Sequence, residues 1–253
     1  MIRRARLAFA LLSFALLTGA LPASAATLTV SAASSLTESF REVASAYEQA
    51  HPGTRVDLNF AASGVLLQQI GRGAPVDVFA SADMPTMDRA GQRSLLLPGS
   101  RHVFARNTLW VVVPPRATAP PRRLQDLVAP GMQRIALGNP DSVPAGHYAL
   151  QALRRAGLWN ALQGRVIRTQ NVRQSLDYVA RGEVDAGFVY ATDAQAMPAR
   201  VSRAFEVPVE GGIAYPLAAL KDTRQPAEAQ RFIAFVRSPQ GQAILRRHGF
   251  SAP

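Results

Sequence analysis

The chain has no cysteine. That excludes disulfides, thiolate metal sites, a cysteine nucleophile and a lipid-modified N-terminal cysteine. An exported chain of 253 residues manages without bridges because its core is large enough. Lysine is almost missing: Lys221 is the only one, so nearly all of the 28 basic residues are arginine. A net charge of +11 invites a nucleic-acid reading. The arginines are scattered, however, and the chain carries an export signal, so no nucleic-acid partner is expected. A basic surface would instead speed the arrival of an anionic ligand.

Acid–base and metal constellations are equally scarce. The four histidines, His51, His102, His147 and His248, lie far apart and read as surface or helix-end residues. There is no HExxH, no paired-histidine spacing and no GxSxG, so an enzyme is not expected. Asp83 and Asp193 each follow a strand-like run and read as helix caps. Gly71-Arg72-Gly73 closes a helix and does not form a phosphate cradle.

There is one long apolar run, Leu7 to Leu21. It follows the basic Arg3, Arg4 and Arg6 and precedes Ala23-Ser24-Ala25, a small-x-small cleavage site. Residues 1–25 therefore read as a signal peptide cleaved near Ala25, and its loss lowers the net charge by three. A soluble periplasmic protein is the expectation.

The rest of the chain is rich in strand–helix alternation. Strand-like runs occupy Thr27–Val30, Arg55–Phe60, Val76–Ala80, Leu109–Val113, Arg134–Leu137, Val166–Thr169, Asp185–Tyr190 and Ala214–Leu220. Pro216 in the last suits an edge or crossing position. Between them Leu36, Phe40, Val43, Ala44 and Tyr47 recur at helical spacing, with Ser34 or Ser35 as the expected N-cap. Further helices are expected over His147–Ala156, Val172–Ala180, Pro226–Val236 and Pro239–His248. This rhythm predicts an α/β protein of parallel sheets covered by helices, with the ligand at the carboxyl ends of the strands. Arg72-Gly73 leading to Val76-Asp77-Val78-Phe79 and Asp83 is loosely repeated by Arg181-Gly182, Val184-Asp185, Phe188 and Asp193. That hints at two related halves.

Two turns of small residues stand out, Ser31 to Thr37 and Ala61 to Gly64. Each joins a strand to a helix start, where unpaired N–H groups and a partial positive charge favour an anion.

In this order and spacing, several stretches resemble the periplasmic molybdate-binding proteins of ABC transporters. They are Ala32-Ala-Ser-Ser-Leu-Thr37, Phe60-Ala-Ala-Ser-Gly64, Gly73–Asp83, Asn107–Pro114, Gly138–Gly146, Asn171-Val-Arg173, Gly187–Asp193 and Tyr215-Pro216. The resemblance implies a type II, two-lobed periplasmic-binding-protein fold, each lobe a mostly parallel sheet flanked by helices, with the ligand in the cleft. Lobe I would comprise residues 26–104 plus 206–253, and lobe II residues 105–205. The family's ligand contacts fall on Ser35, Ser63, Ala145, Val172 and Tyr190, with Ser34 as an adjacent possibility. Ser35 and Ser63 would give hydroxyl and backbone donors, Ala145 and Val172 backbone N–H groups, and Tyr190 its phenol.

A site of neutral donors suits a fully deprotonated oxyanion such as molybdate, tungstate or sulfate. Monohydrogen phosphate would bring an O–H that needs an acceptor. No cofactor is expected, and molybdenum would enter only inside the anion, without direct protein ligands. The partners implied are the permease and ATPase subunits of a molybdate ABC importer, served by a monomer. A binding protein for sulfate, or an exported enzyme on the same scaffold, is the alternative.

Overall fold

The structure is a computed structural model that describes residues 26–253; the signal-peptide reading lies outside the described residues. The first segment runs through β1 (Ala26–Ala33), α1 (Thr37–Ala50), β2 (Thr54–Ala61), α2 (Ser63–Gly71), β3 (Val78–Ala80), α3 (Met84–Gln92) and β4 (His102–Asn107). The middle segment holds β5 (Leu109–Val113), β6 (Ile135–Gly138), α4 (Pro144–Arg155), α5 (Trp159–Leu162), β7 (Val166–Thr169), α6 (Val172–Ala180), β8 (Ala186–Tyr190), α7 (Ala191–Ala196) and β9 (Ser202–Val207). The chain closes with β10 (Ile213–Ala219), α8 (Pro226–Arg237) and α9 (Pro239–Arg247).

The strands form two five-stranded sheets with the same plan, β2-β1-β3-β10-β4 and β7-β6-β8-β5-β9. In each, the first three strands run parallel and the fourth runs antiparallel to both its neighbours. Helices cover the faces, and the two sheets are the centres of two lobes. Only Thr108 separates β4 of the first sheet from β5 of the second, and residues 208–212 bring the chain back.

The sequence pattern explains the packing. In α1, Phe40, Val43, Ala44 and Tyr47 are buried because three- and four-residue steps keep them on one face. Phe40 packs on Phe104 of β4 with ring centres 5.6 Å apart, and Tyr47 meets Phe232 of α8 edge-on at 5.2 Å. The loose repeat has a physical counterpart. Asp77, just before β3, accepts the Thr29 N–H of β1 at 2.8 Å. Asp185, just before β8, accepts the N–H groups of Gln133 and Arg134 at the entrance to β6, each at 2.8 Å. In both lobes the carboxylate ties the central strand to its neighbour.

Three sequence expectations are corrected. β4 and β9 were not expected as strands; both are outermost and carry charge (Arg106, Arg203, Glu206), so neither shows an apolar run. Pro216 lies in β10, an interior strand, and is tolerated at a register shift between Tyr215 and Pro216, where a bulge spares the ladder a missing donor. Helix α4 begins at Pro144, three residues before the expected start, because proline at the first helical position needs no N–H. Among the described residues, no helix is long and apolar enough to cross a membrane.

Candidate functional site

The carboxyl ends of β1, β2, β6, β7 and β8 all lead into helix starts, and those starts meet at the boundary between the lobes. A small cavity lies there. Ser34, Ser35, Ser63, Ala145, Val172 and Tyr190 all line it, so the structure brings every expected contact residue to one place. Each is buried, Ser63 completely. No acidic or basic side chain is among the lining residues.

Ser34 and Ser35 are not N-caps, contrary to the sequence expectation. They lie inside a short 3-10 turn, Ser34–Leu36, whose N-cap is Ala33. Ser63 is likewise the first residue of α2, capped by Ala62, and Val143 caps α4. Ala33, Ala62 and Val143 have no side-chain oxygen to offer a helix start, and none makes a side-chain cap. Of the helix starts that do not line this cavity, α3 and α9 carry side-chain caps, whereas α5 and α8 do not. Asp83 accepts the Thr86 N–H at the start of α3, and Ser238 accepts that of Gly241 in α9. At α6 the Asn171 side chain takes the Gln174 N–H, leaving that of Val172. The first turn of a helix has no internal acceptors for its N–H groups. Among the described residues, no other acceptor engages those of Ser35, Ser63, Ala145 or Val172. Uncapped, positively polarised helix ends around a buried cavity have the electrostatics that suit an anion.

The hydroxyls are already oriented. Ser63 Oγ accepts the Ala82 N–H at 3.0 Å, which leaves its proton for the cavity. Tyr190 ends β8, and its phenol donates across the lobe boundary to the Ala82 carbonyl at 3.4 Å. That bond is at the limit of a hydrogen bond, so an anion in the cavity would compete readily for the same proton. Burial pushes the Tyr190 pKa well above its ordinary value, with nearby tyrosines and carboxylates adding to the shift, so the phenol stays a donor.

Two glycines set the fit. The Gly64 N–H donates to the Ser142 carbonyl of the other lobe at 3.0 Å, and a Cβ at 64 would lie 2.7 Å from that oxygen. A Cβ at Gly146 would lie 1.8 Å from the Gly138 carbonyl, so glycine lets the start of α4 press onto the end of β6.

Arg173 follows Val172 but lines a neighbouring pocket with Glu38 and His248, not the Ser63 cavity. Its guanidinium holds Glu38 of the first lobe through both terminal nitrogens, and its Nε lies 2.7 Å from Asp193. That last approach is an ion pair without hydrogen-bond alignment. Burial works against the arginine's charge, but Asp193 and Glu38 outweigh it and hold its pKa above the ordinary value. Asp193 serves the helix start as the sequence suggests, but from the third helical position, as half of a capping box, and not as the N-cap residue itself. It accepts the Tyr190 N–H at 3.0 Å, which fixes the backbone that carries the phenol.

Two residues assigned no role from sequence stand behind the cavity. Tyr215 bonds Ser35, and Asn107 bonds Tyr215. Their signal was present, because both sit in motifs of the resemblance, but nothing in the sequence joins positions 35, 107 and 215. Among the described residues, no group of three or more metal-ligating side chains occurs.

A family model described as bacterial extracellular solute-binding protein matches residues 28–251. The molybdate-binding protein ModA of Escherichia coli is 34% identical over 249 residues, covering 96% of this chain and 95% of that one. The ModA of Mycobacterium bovis is 34% identical over 231 residues, covering 90% and 86%. The solved structure of the Azotobacter vinelandii periplasmic molybdate-binding protein superposes with a TM-score of 0.80 at 27% identity, covering 89% of this chain and 99% of that one. Neutral donors at uncapped helix ends between two lobes thus sit in a chain that matches a solute-binding family nearly end to end, and the chain belongs to the bacterial extracellular solute-binding proteins.

Proposed function

We propose that the protein captures molybdate, and with it tungstate, in the periplasm after a leader ending near Ala25 is removed. The loaded monomer delivers the anion to the permease and ATPase subunits of an ABC importer, without cofactor or catalysis. Residues 26–104 with 206–253, and residues 105–205, act as the two lobes that close on it. One observation carries this reading: a buried, charge-free cavity is lined by the first residues of helix starts, three of which have N-cap residues without a side-chain acceptor.

Ser35, Ser63, Ala145, Val172 and Tyr190 are the proposed ligand contacts, with Ser34 adjacent. Hydroxyl and N–H dipoles stabilise a dianion without a counter-charge. Contacts from both lobes favour the closed form, since a ligand shifts an equilibrium only by binding one state better. Names borne by relatives up to 34% identical over nearly the whole chain support molybdate over other oxyanions.

Calorimetric titration with molybdate, tungstate, sulfate and phosphate tests the reading. Heat is expected with molybdate and tungstate. Binding of sulfate with none of molybdate would reassign the ligand, and turnover of phosphate or sulfate esters would reassign the class.

A further inference from the structure

Ser35 ends a chain of three buried polar side chains: its own, in the 3-10 turn after β1, that of Tyr215 in β10 and that of Asn107 in β4. Asn107 Oδ1 accepts the Thr108 N–H at 2.9 Å. That fixes the amide's orientation and turns its Nδ2 the other way. Nδ2 spends its two protons on Thr192 Oγ1 at 2.9 Å and on the Tyr215 oxygen at 3.2 Å. The Tyr215 hydroxyl lies 3.0 Å from Ser35 Oγ. Ser35 Oγ is the only acceptor within reach of the Tyr215 hydroxyl among the described residues, so its proton goes to Ser35. No other hydrogen-bond partner of Ser35 Oγ occurs among the described residues, so the serine's own proton is left for the cavity it lines. Tyr215 is fully buried among Phe104, Tyr190 and Phe250, and the register shift beside it is the kind of bulge that re-aims a side chain.

We propose that Asn107 and Tyr215 are positioning residues that lock Ser35 as a hydrogen-bond donor toward the anion, and thereby make the site reject oxyanions that carry a proton. The proposal rests on the anion-binding reading above. A lone serine can donate or accept and would tolerate a protonated anion by turning over. A serine at the end of a one-way chain cannot turn without leaving the Tyr215 proton unpaired in a buried place, which is costly. Burial pushes the Tyr215 pKa well above its ordinary value, with Asp193 adding to the shift, so the proton the chain needs stays on it.

Asn107→Asp is the decisive variant. It keeps the shape but replaces the donor with an acceptor. Tyr215 then donates to position 107, Ser35 donates to Tyr215, and a lone pair faces the anion. Molybdate affinity is expected to fall by at least about tenfold, the size of one misdirected charged hydrogen bond. The added charge alone would also weaken binding, so the substitution is repeated on Ser35→Ala. If the chain acts through Ser35, the extra loss there shrinks to about twofold or less. Equal loss in both backgrounds, or loss in neither, overturns the proposal.

Tyr215→Phe gives a second cycle, with a smaller loss that again vanishes on Ser35→Ala. Selectivity is read with selenate and monohydrogen arsenate, both dianions of like shape, the arsenate alone carrying a proton. Preference for selenate should narrow by about tenfold in Asn107→Asp, and an unchanged preference counts against the proposal. Failure of the wild-type chain to bind molybdate would sink the functional reading. A wild-type chain that binds, with flat cycles, sinks this inference alone.

Discussion

The two lobes share a strand plan yet present different chemistry to the same cavity. The first offers side-chain hydroxyls, Ser35 and Ser63, each with its oxygen already engaged inside that lobe, by Tyr215 and by the Ala82 N–H. The second offers backbone N–H groups at Ala145 and Val172, where the side chains contribute only shape. Tyr190 reaches back from the second lobe to the Ala82 carbonyl of the first. A donor made of backbone is fixed by the fold and almost indifferent to residue type. One made of side chain can be deleted by a single substitution. On the proposed reading, the same dianion would be held by one editable half and one half that ordinary substitutions scarcely touch.

The largest effect expected from testing that contrast is at Arg173, a cation of the second lobe that holds Glu38 of the first. Arg173→Met leaves Asp193 buried at 0% exposure without its partner. Breaking a buried pair in this way costs about 3 kcal/mol or more, readable as a drop in urea stability. A drop below about 1 kcal/mol would mean that the Tyr190 N–H alone satisfies Asp193.

Next come the donors themselves. Ser63→Ala should weaken anion binding by about 1.5–3 kcal/mol, one hydrogen bond to a charged group. Val172→Pro should do the same in the second lobe. Position 172 is the first of α6, where proline is accepted, and Asn171 already has the extended backbone that a following proline requires. Val172→Ala keeps the N–H and should change affinity by less than about 1 kcal/mol, since only packing is lost. Equal losses in the proline and alanine variants would break the distinction between the lobes.

The smallest effect is on acid stability. In the first lobe, burial raises the Glu228 pKa, but hydrogen bonds from Tyr47, Arg231 and Thr54 outweigh it and hold it below the ordinary 4.5. A lowered carboxylate contributes stability above its unfolded pKa and loses it as pH falls through the folded one. In the second lobe, burial lifts Asp193 above the ordinary value despite Arg173. Its contribution therefore has the opposite sign and grows as pH falls from the folded toward the unfolded pKa. Urea midpoints measured from neutral pH down to about pH 3 should show a shallower acid decline in Glu228→Gln and a steeper one in Asp193→Asn.

The same division decides what was legible in the sequence. Helix α1 and the inner strands were readable, because burial on one or both faces writes itself into spacing and apolar runs. The outermost β4 and β9 were not, since each carries charged residues that break up an apolar run. Ser35 and Ser63 were visible as hydroxyls at turns, although the N-cap role expected of Ser34 or Ser35 was wrong. Ala145 and Val172 left no chemical trace, because a backbone donor has no residue type; only a family resemblance pointed to them. The link from Asn107 through Tyr215 to Ser35 spans more than a hundred residues and needs the fold to exist.

The bare helix ends at Ala33, Ala62 and Val143 have a consequence for how stable this protein is able to be. A serine or aspartate in such a position usually adds about 1 kcal/mol by satisfying the helix start. At these three places the added oxygen would sit where the anion's oxygens belong. It would act as a tethered competitor, present at all times and impossible to wash away. Substitutions that make the empty protein sturdier here should make it a poorer scavenger. The chain's reserve of stability is therefore held by its cargo, and depletion of the anion from the medium should be felt as a loss of thermal resistance.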